Sequence, residues 1–120
     1  MKVLMIIGGL MGAAGVGLAA ASAHAPSAVK LDAAGYLLLI HGAAVIAGLA
    51  TLESGLLWRP LGLSAIAGFA VGSVLFAGDL TLRAFAGSRL FPMAAPSGGV
   101  ILIVSWLVFA AAAALAPVRS

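Results

Sequence analysis

Apolar residues along this chain fall into four long stretches that are separated by short polar breaks. The stretches cover about residues 3–24, 33–57, 61–84 and 96–116, and each is near the ~20 residues that a helix needs to cross a ~30 Å hydrocarbon core. Pro60 lies in the break before the third stretch, and Pro96 suits the first turn of the fourth, where the N–H that proline lacks has no helical partner. The pattern predicts an all-α fold in which residues 1–120 form a single domain, an integral membrane bundle of four transmembrane helices.

Composition supports the membrane class. Hydrophobic residues make up 64% of the chain and charged residues 8%, whereas soluble proteins average about half and about a quarter. The mean hydropathy is +1.27. The net charge of +3 comes from basic residues that stand singly, so nucleic acid is not an expected partner. The chain has no cysteine, which excludes disulfides and thiolate sites.

The beginning of the first stretch resembles a secretory signal. Lys2 provides the basic end, and the small residues Ala21, Ala23 and Ala25 resemble a cleavage pattern. The apolar run is about 21 residues long, however, whereas the apolar part of a signal peptide has ~7–15. We therefore expect a retained transmembrane helix.

Small residues recur at a spacing of four, which lets helix backbones approach closely in a membrane. The pairs are Gly8/Gly12, Gly15/Ala19, Ala44/Gly48, Gly68/Gly72 and Ser73/Ala77. The pattern predicts a compact bundle, with Gly8, Gly12, Gly68 and Gly72 as helix-packing positions.

Polar residues concentrate at one predicted face of the bundle. Four antiparallel helices with short connections bring the end of helix one, the start of helix two, the end of helix three and the start of helix four to the same side. The candidate binding cluster on that side comprises His24, His41, Asp79, Arg83, Ser97, Gly98 and Gly99, with Lys30, Asp32, Tyr36, Arg89 and Pro96 nearby.

Asp79 and Arg83 stand four residues apart near the end of the third stretch. The spacing places them on one helical face, so they form either an interfacial ion pair that anchors the helix end or part of a functional polar site. His41 lies about five to eight residues inside the second predicted helix. It is either a packing residue bonded to a nearby carbonyl or hydroxyl, or a proton-accepting or ligand-binding group near Asp79. Glu53 is expected to pair with Arg59 at the opposite face.

Catalytic and metal-binding motifs do not stand out in the sequence. His24, His41 and Asp79 are of suitable types for metal ligands, but no ligand spacing supports such a site. A nucleophile with its base, a phosphate loop and a cofactor motif are also missing from the pattern. We therefore predict no metal, no cofactor and no enzymatic activity.

Five short pieces occur in order along the chain: Ala23-His24, His41-Gly42-Ala43, Leu75-Phe76-Ala77-Gly78-Asp79-Leu80, Ala95-Pro96-Ser97-Gly98-Gly99 and Trp106. With a glycine-rich first helix, this ordered set resembles domain-of-unknown-function family 423, the family of YgdD and transmembrane protein 256. The resemblance implies a small four-helix membrane protein without an established biochemical activity, and we expect a multi-pass protein of the bacterial inner membrane.

The chain departs from that family at three positions. Asp79 stands where the family commonly has serine, Thr81 where it has an aromatic residue, and Leu37 where it has tyrosine. The resemblance therefore implies no family-wide role for the Asp79 carboxylate. His24, His41 and the Pro-Ser-Gly-Gly turn are better candidates for a shared role.

Two functions follow as hypotheses. The first is a structural or accessory membrane component that self-associates as a homo-oligomer or binds other membrane proteins and lipids. The alternative is a binding protein or carrier for a small solute, proton or lipid that uses the polar cluster, with free N–H groups at the start of helix four available to an anion.

The basic residues do not determine an orientation, because they divide evenly between the two faces: Lys2, Arg59 and Arg119 on one, and Lys30, Arg83 and Arg89 on the other. Lys2 precedes the first helix, and on that ground we expect both termini inside.

Overall fold

The computed structural model describes residues 1–24 and 30–118, and within these residues the chain forms four α-helices. They are α1 (Lys2–Ser22), α2 (Leu31–Glu53), α3 (Arg59–Ala86) and α4 (Ala94–Ala114). The predicted all-α fold is confirmed, and each predicted helix border lies within four residues of the observed one. Ala25 and Arg119, which figured in the sequence analysis, lie outside the described residues.

All four helices are long and apolar enough to cross a membrane. The shortest, α1 and α4, have 21 residues each, which corresponds to about 32 Å along the axis. The coarse prediction of a multi-pass membrane protein is consistent with this finding.

Turn residues set the helix ends. Gly55 follows α2 with φ of 80°, and Gly87 ends α3 with φ of 70°, a left-handed conformation that glycine adopts without a Cβ clash. Pro60 lies in the first turn of α3, where its missing N–H costs no helical hydrogen bond. The breaks that follow α2 and α3 are therefore turns between antiparallel helices.

Helices α2 and α3 form the centre of the bundle and are more deeply buried than the outer helices α1 and α4. Helix α1 packs on α2, α4 packs on α3, and α1 scarcely touches α3. Val45, Ile66 and Phe69 are fully buried in the core between these helices.

Glycines bring the helix backbones into contact at two crossings. Between α1 and α2, a Cβ added to Gly15 would lie 2.7 Å from the Gly35 carbonyl oxygen. Between α3 and α4, a Cβ on Gly98 would lie 2.6 Å from the Gly72 carbonyl oxygen. Only glycine permits these separations, and the close approach increases the dispersion contacts between the helices.

The four predicted packing glycines all lie at contacts within the chain. A Cβ on Gly8 would meet Ile46, and the Gly12 nitrogen lies at the same α1–α2 crossing. Gly68 and Gly72 face α4, where an added Cβ would collide with Ser105 or approach the Gly98 carbonyl. Gly68 and Gly72 therefore pack against α4 of the same chain and are not accessible to a second copy.

Candidate functional site

His41 lies deep in the bundle. It is ten residues beyond Leu31, the first residue of α2, and therefore about 15 Å along the helix axis from that end. The structure places it deeper than the sequence indicated, because α2 begins two residues earlier than expected. Only 4% of its surface is exposed.

Both ring nitrogens of His41 have hydrogen-bond partners. Nδ1 lies 2.7 Å from the Leu37 carbonyl oxygen, and the Trp106 indole donates its Nε1–H to Nε2 over 3.0 Å. A carbonyl can only accept and an indole N–H can only donate. Nδ1 must therefore carry the hydrogen and Nε2 must be the acceptor, which defines a neutral imidazole. The contact with Leu37 is the kind of carbonyl bond that the packing interpretation of His41 expected.

Aromatic rings surround the imidazole. The Phe69 ring centroid lies 5.8 Å from that of His41 and 4.5 Å from that of Trp106, and Phe109 lies 6.0 Å from Phe69. His41 and Trp106 meet edge-on with their ring centroids 5.9 Å apart, an arrangement that aromatic pairs favour. We call His41, Phe69, Trp106 and Phe109 the aromatic cluster. It joins α2, α3 and α4 through side chains.

Asp79 is the second buried polar centre, with 2% of its side chain exposed. Oδ2 forms an ion pair with Arg83 at 3.2 Å, and Oδ1 accepts a hydrogen bond from the Leu90 backbone N–H at 2.9 Å. The predicted i,i+4 ion pair is confirmed. The carboxylate is more deeply buried than an interfacial pair would be, because the loop between α3 and α4 folds back over it.

Arg83 is only partly satisfied by this pair. Its side chain is 29% exposed, yet its Nε atom is buried without a hydrogen-bond partner among the described residues. The guanidinium therefore lies at the edge of the protein, with one face toward Asp79.

The other members of the candidate binding cluster, His24 and the consecutive residues Ser97, Gly98 and Gly99, belong to neither of these polar centres. His24 is exposed beyond the end of α1, and Ser97 and Gly99 are half-buried in α4. Gly98 packs against the α3 backbone. In the described part of the chain, no hydrogen bond or ion pair joins His41 to Asp79. The candidate cluster thus divides into a central imidazole and an ion pair at the rim.

The opposite rim carries the predicted pair of Glu53 and Arg59. The two side chains approach to 3.3 Å, and both are more than half exposed. This prediction is confirmed. An exposed pair of this kind contributes little to stability, because water screens both charges.

A groove of about 740 Å³ opens between α1 and α3. Residues between 7 and 18 of α1 and between 74 and 85 of α3 form its walls, with Leu38 of α2 between them. Thr81 is the one lining residue with a polar side chain, and its hydroxyl donates to the Ala77 carbonyl at 2.6 Å. We call this feature the α1–α3 groove; its lining suits only an apolar occupant.

Side chains of the metal-ligating types are dispersed in the described part of the chain. Across residues 1–24 and 30–118, no three His, Cys, Asp or Glu side chains come together as metal ligands. The sequence reasoning missed Trp106 as the partner of His41 and the Leu90 N–H as the partner of Asp79. A buried imidazole needs a hydrogen-bond partner. The indole of Trp106 in the fourth apolar stretch was therefore the signal in the sequence for the partner of His41.

We compared the chain with family models, with curated proteins and with solved structures, and none of them matches it. The resemblance to domain-of-unknown-function family 423 therefore stays a prediction. The functional inference therefore rests on the geometry of the molecule.

Proposed function

We propose that this chain is a structural or accessory component of a membrane that acts through apolar contacts with other membrane proteins and catalyses no reaction. The observation that carries this proposal is the saturation of His41. Its two ring nitrogens bind Leu37 and Trp106, so neither is available to a proton or ligand unless one of these hydrogen bonds breaks.

Two other buried polar residues, Ser73 and Asp79, support the same conclusion. Ser73 donates to the Phe69 carbonyl of its own helix, and the Asp79 carboxylate binds Arg83 and Leu90. Buried polar groups in an apolar medium are costly unless they are paired, and both of these groups are paired within the chain. Among the described residues, the apolar α1–α3 groove is open to a partner.

We further propose the bacterial inner membrane as the location, with lipids and membrane proteins, including copies of this chain, as partners. The alternative function, a binding protein or carrier for a small solute, proton or lipid, would require the imidazole to release Trp106 during each cycle. His41 and the Asp79–Arg83 pair would then have to act separately, since they do not share a site.

Photo-cross-linking from the groove tests the proposal. Leu10 lines the α1–α3 groove, whereas Leu107 of α4 is 67% exposed and does not line it. A benzophenone amino acid at position 10 should give adducts with protein in intact membranes, and the same group at position 107 should react with lipid alone. Equal reaction with lipid at both positions would contradict the proposal.

Proton flux distinguishes the carrier alternative. Liposomes that contain the protein should change internal pH at the same rate as empty liposomes after an imposed pH step, and His41→Phe should leave that rate unchanged. A flux that disappears in His41→Phe but persists in the rim control Glu53→Gln would overturn the structural role in favour of the carrier.

A further inference from the structure

The loop between α3 and α4, residues 87–93, is held against the end of α3 by Asp79. The Leu90 backbone N–H donates to the Oδ1 atom of Asp79 over 2.9 Å. Asp79 lies twenty residues after Arg59, the first residue of α3, and thus about 30 Å along the helix axis, which is the thickness of a typical hydrocarbon core. When Arg59 lies at one boundary of the core, the hydrogen bond therefore holds Leu90 close to the other boundary.

Large apolar side chains project from this loop. Leu90, Phe91 and Met93 are all exposed on the surface of the chain. Side chains of this size favour an apolar medium over water, and at the boundary of the core the acyl chains of the lipids provide that medium. The loop is therefore suited to contact with lipid.

Asp79 also brings two arginines together at this boundary. Its Oδ2 atom pairs with Arg83 at 3.2 Å, and its Oδ1 atom binds the N–H of Leu90, whose nitrogen is bonded to the carbonyl carbon of Arg89. Arg89 is exposed and has no hydrogen bond or ion pair with any other described residue. Two positive charges therefore share one carboxylate, and one positive charge is left without a counter-ion.

The turn between α2 and α3, on the opposite side of the bundle, provides a contrast. It also exposes large apolar side chains, those of Leu56 and Trp58. Its arginine, Arg59, is matched by Glu53 at 3.3 Å, so the charges of this turn cancel. The two connections thus have comparable apolar side chains, but only the loop after α3 has an excess positive charge.

We propose that Arg83 and Arg89 bind the phosphate of an anionic phospholipid whose acyl chains contact Leu90 and Phe91. Guanidinium groups form paired hydrogen bonds with phosphate oxygens. Arg83 has donors left for this purpose, because its side chain is partly exposed, it binds Asp79 through Nη2, and its Nε has no partner among the described residues. Asp79 is the positioning residue of this site, since it holds both arginines in place.

Charge and depth together select this class of ligand. The excess positive charge favours a headgroup with a net negative charge over a zwitterionic one, which carries its own cation. The exposed apolar side chains beside the arginines favour a ligand with acyl chains over a free anion. The inference rests on the membrane role proposed above and deepens it by naming the class of lipid.

Quenching of tryptophan fluorescence by brominated lipids tests the proposal. Phe91→Trp in a chain with Trp58→Phe and Trp106→Phe reports from the loop, and a chain with Trp106→Phe alone reports from Trp58 on the opposite side. In bilayers of phosphatidylcholine and phosphatidylglycerol, brominated phosphatidylglycerol should be enriched about fivefold at position 91, as one uncompensated basic residue predicts, and should show its bulk fraction at Trp58. Equal enrichment at the two positions, or none at either, would overturn the proposal.

Arg89→Gln removes the uncompensated charge and leaves the backbone hydrogen bond of Leu90 in place. The enrichment at position 91 should fall to the bulk fraction, whereas Arg89→Lys, which keeps the charge, should retain it. Arg59→Gln is the matched control in the opposite turn and should leave the enrichment at position 91 unchanged. Enrichment that survives Arg89→Gln would show that this arginine does not hold the lipid.

The contribution of Arg83 needs a double variant, because Arg83→Gln alone leaves the buried carboxylate without its cation. Asp79→Asn combined with Arg83→Gln keeps the net charge of the site and an acceptor for the Leu90 N–H. The enrichment at position 91 should decrease, because the donors of one guanidinium are lost. An unchanged enrichment would overturn the assignment of Arg83 as a ligand of the phosphate.

Competition with inorganic phosphate distinguishes the lipid from a free anion. Inorganic phosphate should displace brominated phosphatidylglycerol from position 91 no more than chloride does at the same ionic strength, because screening affects both salts alike and phosphate has no acyl chains. Displacement by phosphate and not by chloride would assign the arginines to a free anion and overturn the lipid proposal.

The outcomes separate this inference from the proposed function. If position 91 shows no enrichment of the anionic lipid while the benzophenone at position 10 still forms protein adducts, the lipid site is excluded and the structural role stands. If position 10 forms adducts with lipid alone, the structural role itself fails, whatever the loop binds.

Discussion

The α1–α2 and α3–α4 crossings have the same kind of glycine contact but differ in their side-chain hydrogen bonds. Gly15 with Gly35, and Gly72 with Gly98, bring backbones together at the two crossings. On the α3–α4 side, side-chain hydrogen bonds add to this packing, because Asp79 binds the loop that leads into α4 and the α4 indole of Trp106 reaches α2. Within the described residues, no side-chain hydrogen bond or ion pair connects α1 to α2.

The difference between the two crossings shows that close packing alone can hold a helix but does not fix it to a polar partner. Dispersion between glycine-containing faces holds α1 in place without fixing it to a polar partner. Helix α4 cannot shift along α3 without breaking the bond between Trp106 and His41. We expect α1 to be the helix that separates first and α4 to remain with the α2–α3 centre.

The largest expected effect comes from Gly15→Leu. A Cβ at this position would lie 2.6 Å from the Leu39 nitrogen, a backbone atom that cannot move aside. We expect a loss of about 3 kcal/mol in the free energy of unfolding, measured by circular dichroism in detergent mixtures with increasing SDS. In a Trp58→Phe background, the fluorescence of Trp106 should remain native while α1 separates.

Gly9→Leu is the matched control on the same helix. No atom lies within 4 Å of a Cβ at Gly9, so the added side chain should be tolerated with no loss of stability. Equal destabilisation by both substitutions would show that the α1–α2 crossing does not depend on the backbone contact.

Asp79→Ala should have the next largest effect, and it acts at the α3–α4 crossing. It leaves the Arg83 guanidinium without its carboxylate and the Leu90 N–H without its acceptor, which we expect to cost about 2–3 kcal/mol. The loop should also loosen, so trypsin should cleave after Arg89 faster than in the unmodified protein.

Asp79→Asn keeps an acceptor for the Leu90 N–H and removes the charge. Its loop should therefore be cleaved more slowly than that of Asp79→Ala. If the two variants are cleaved equally fast, the ion pair and not the Leu90 hydrogen bond holds the loop.

The smallest effect concerns the hydrogen bond between Trp106 and His41. Trp106→Phe, His41→Phe and the double variant form a double-mutant cycle. Its coupling free energy isolates this hydrogen bond from the packing of the rings. We expect a coupling of about 0.6 kcal/mol in the free energy of unfolding, the average for interhelical hydrogen bonds in a membrane protein, and at most about 1.7 kcal/mol. A coupling near zero would mean that the aromatic contacts alone join α4 to α2.

The helices could be predicted from the sequence because length and hydropathy determine them locally. The pairs Asp79–Arg83 and Glu53–Arg59 were also predictable, since their members are four and six residues apart at helix ends. Local spacing therefore sufficed wherever both partners lay in one helix or across one turn.

The central contacts could not be predicted in this way. Trp106 and His41 are 65 residues apart, and α4 is apolar on all sides, so no hydrophobic stripe reveals which face of α4 points inward. The rotation of α4 is set by the fit of Gly98 against Gly72 and of Ser105 against Gly68. Such fits depend on three-dimensional packing, which residue spacing does not encode.

Helix α3 is longer than its neighbours. Its 28 residues measure about 42 Å, against about 32 Å for α1 and α4, and a typical hydrocarbon core is ~30 Å thick. The two turns beyond Asp79 therefore extend among the lipid headgroups or tilt the helix. A thinner or thicker bilayer would be accommodated at this projecting end, leaving the geometry around the imidazole unaffected.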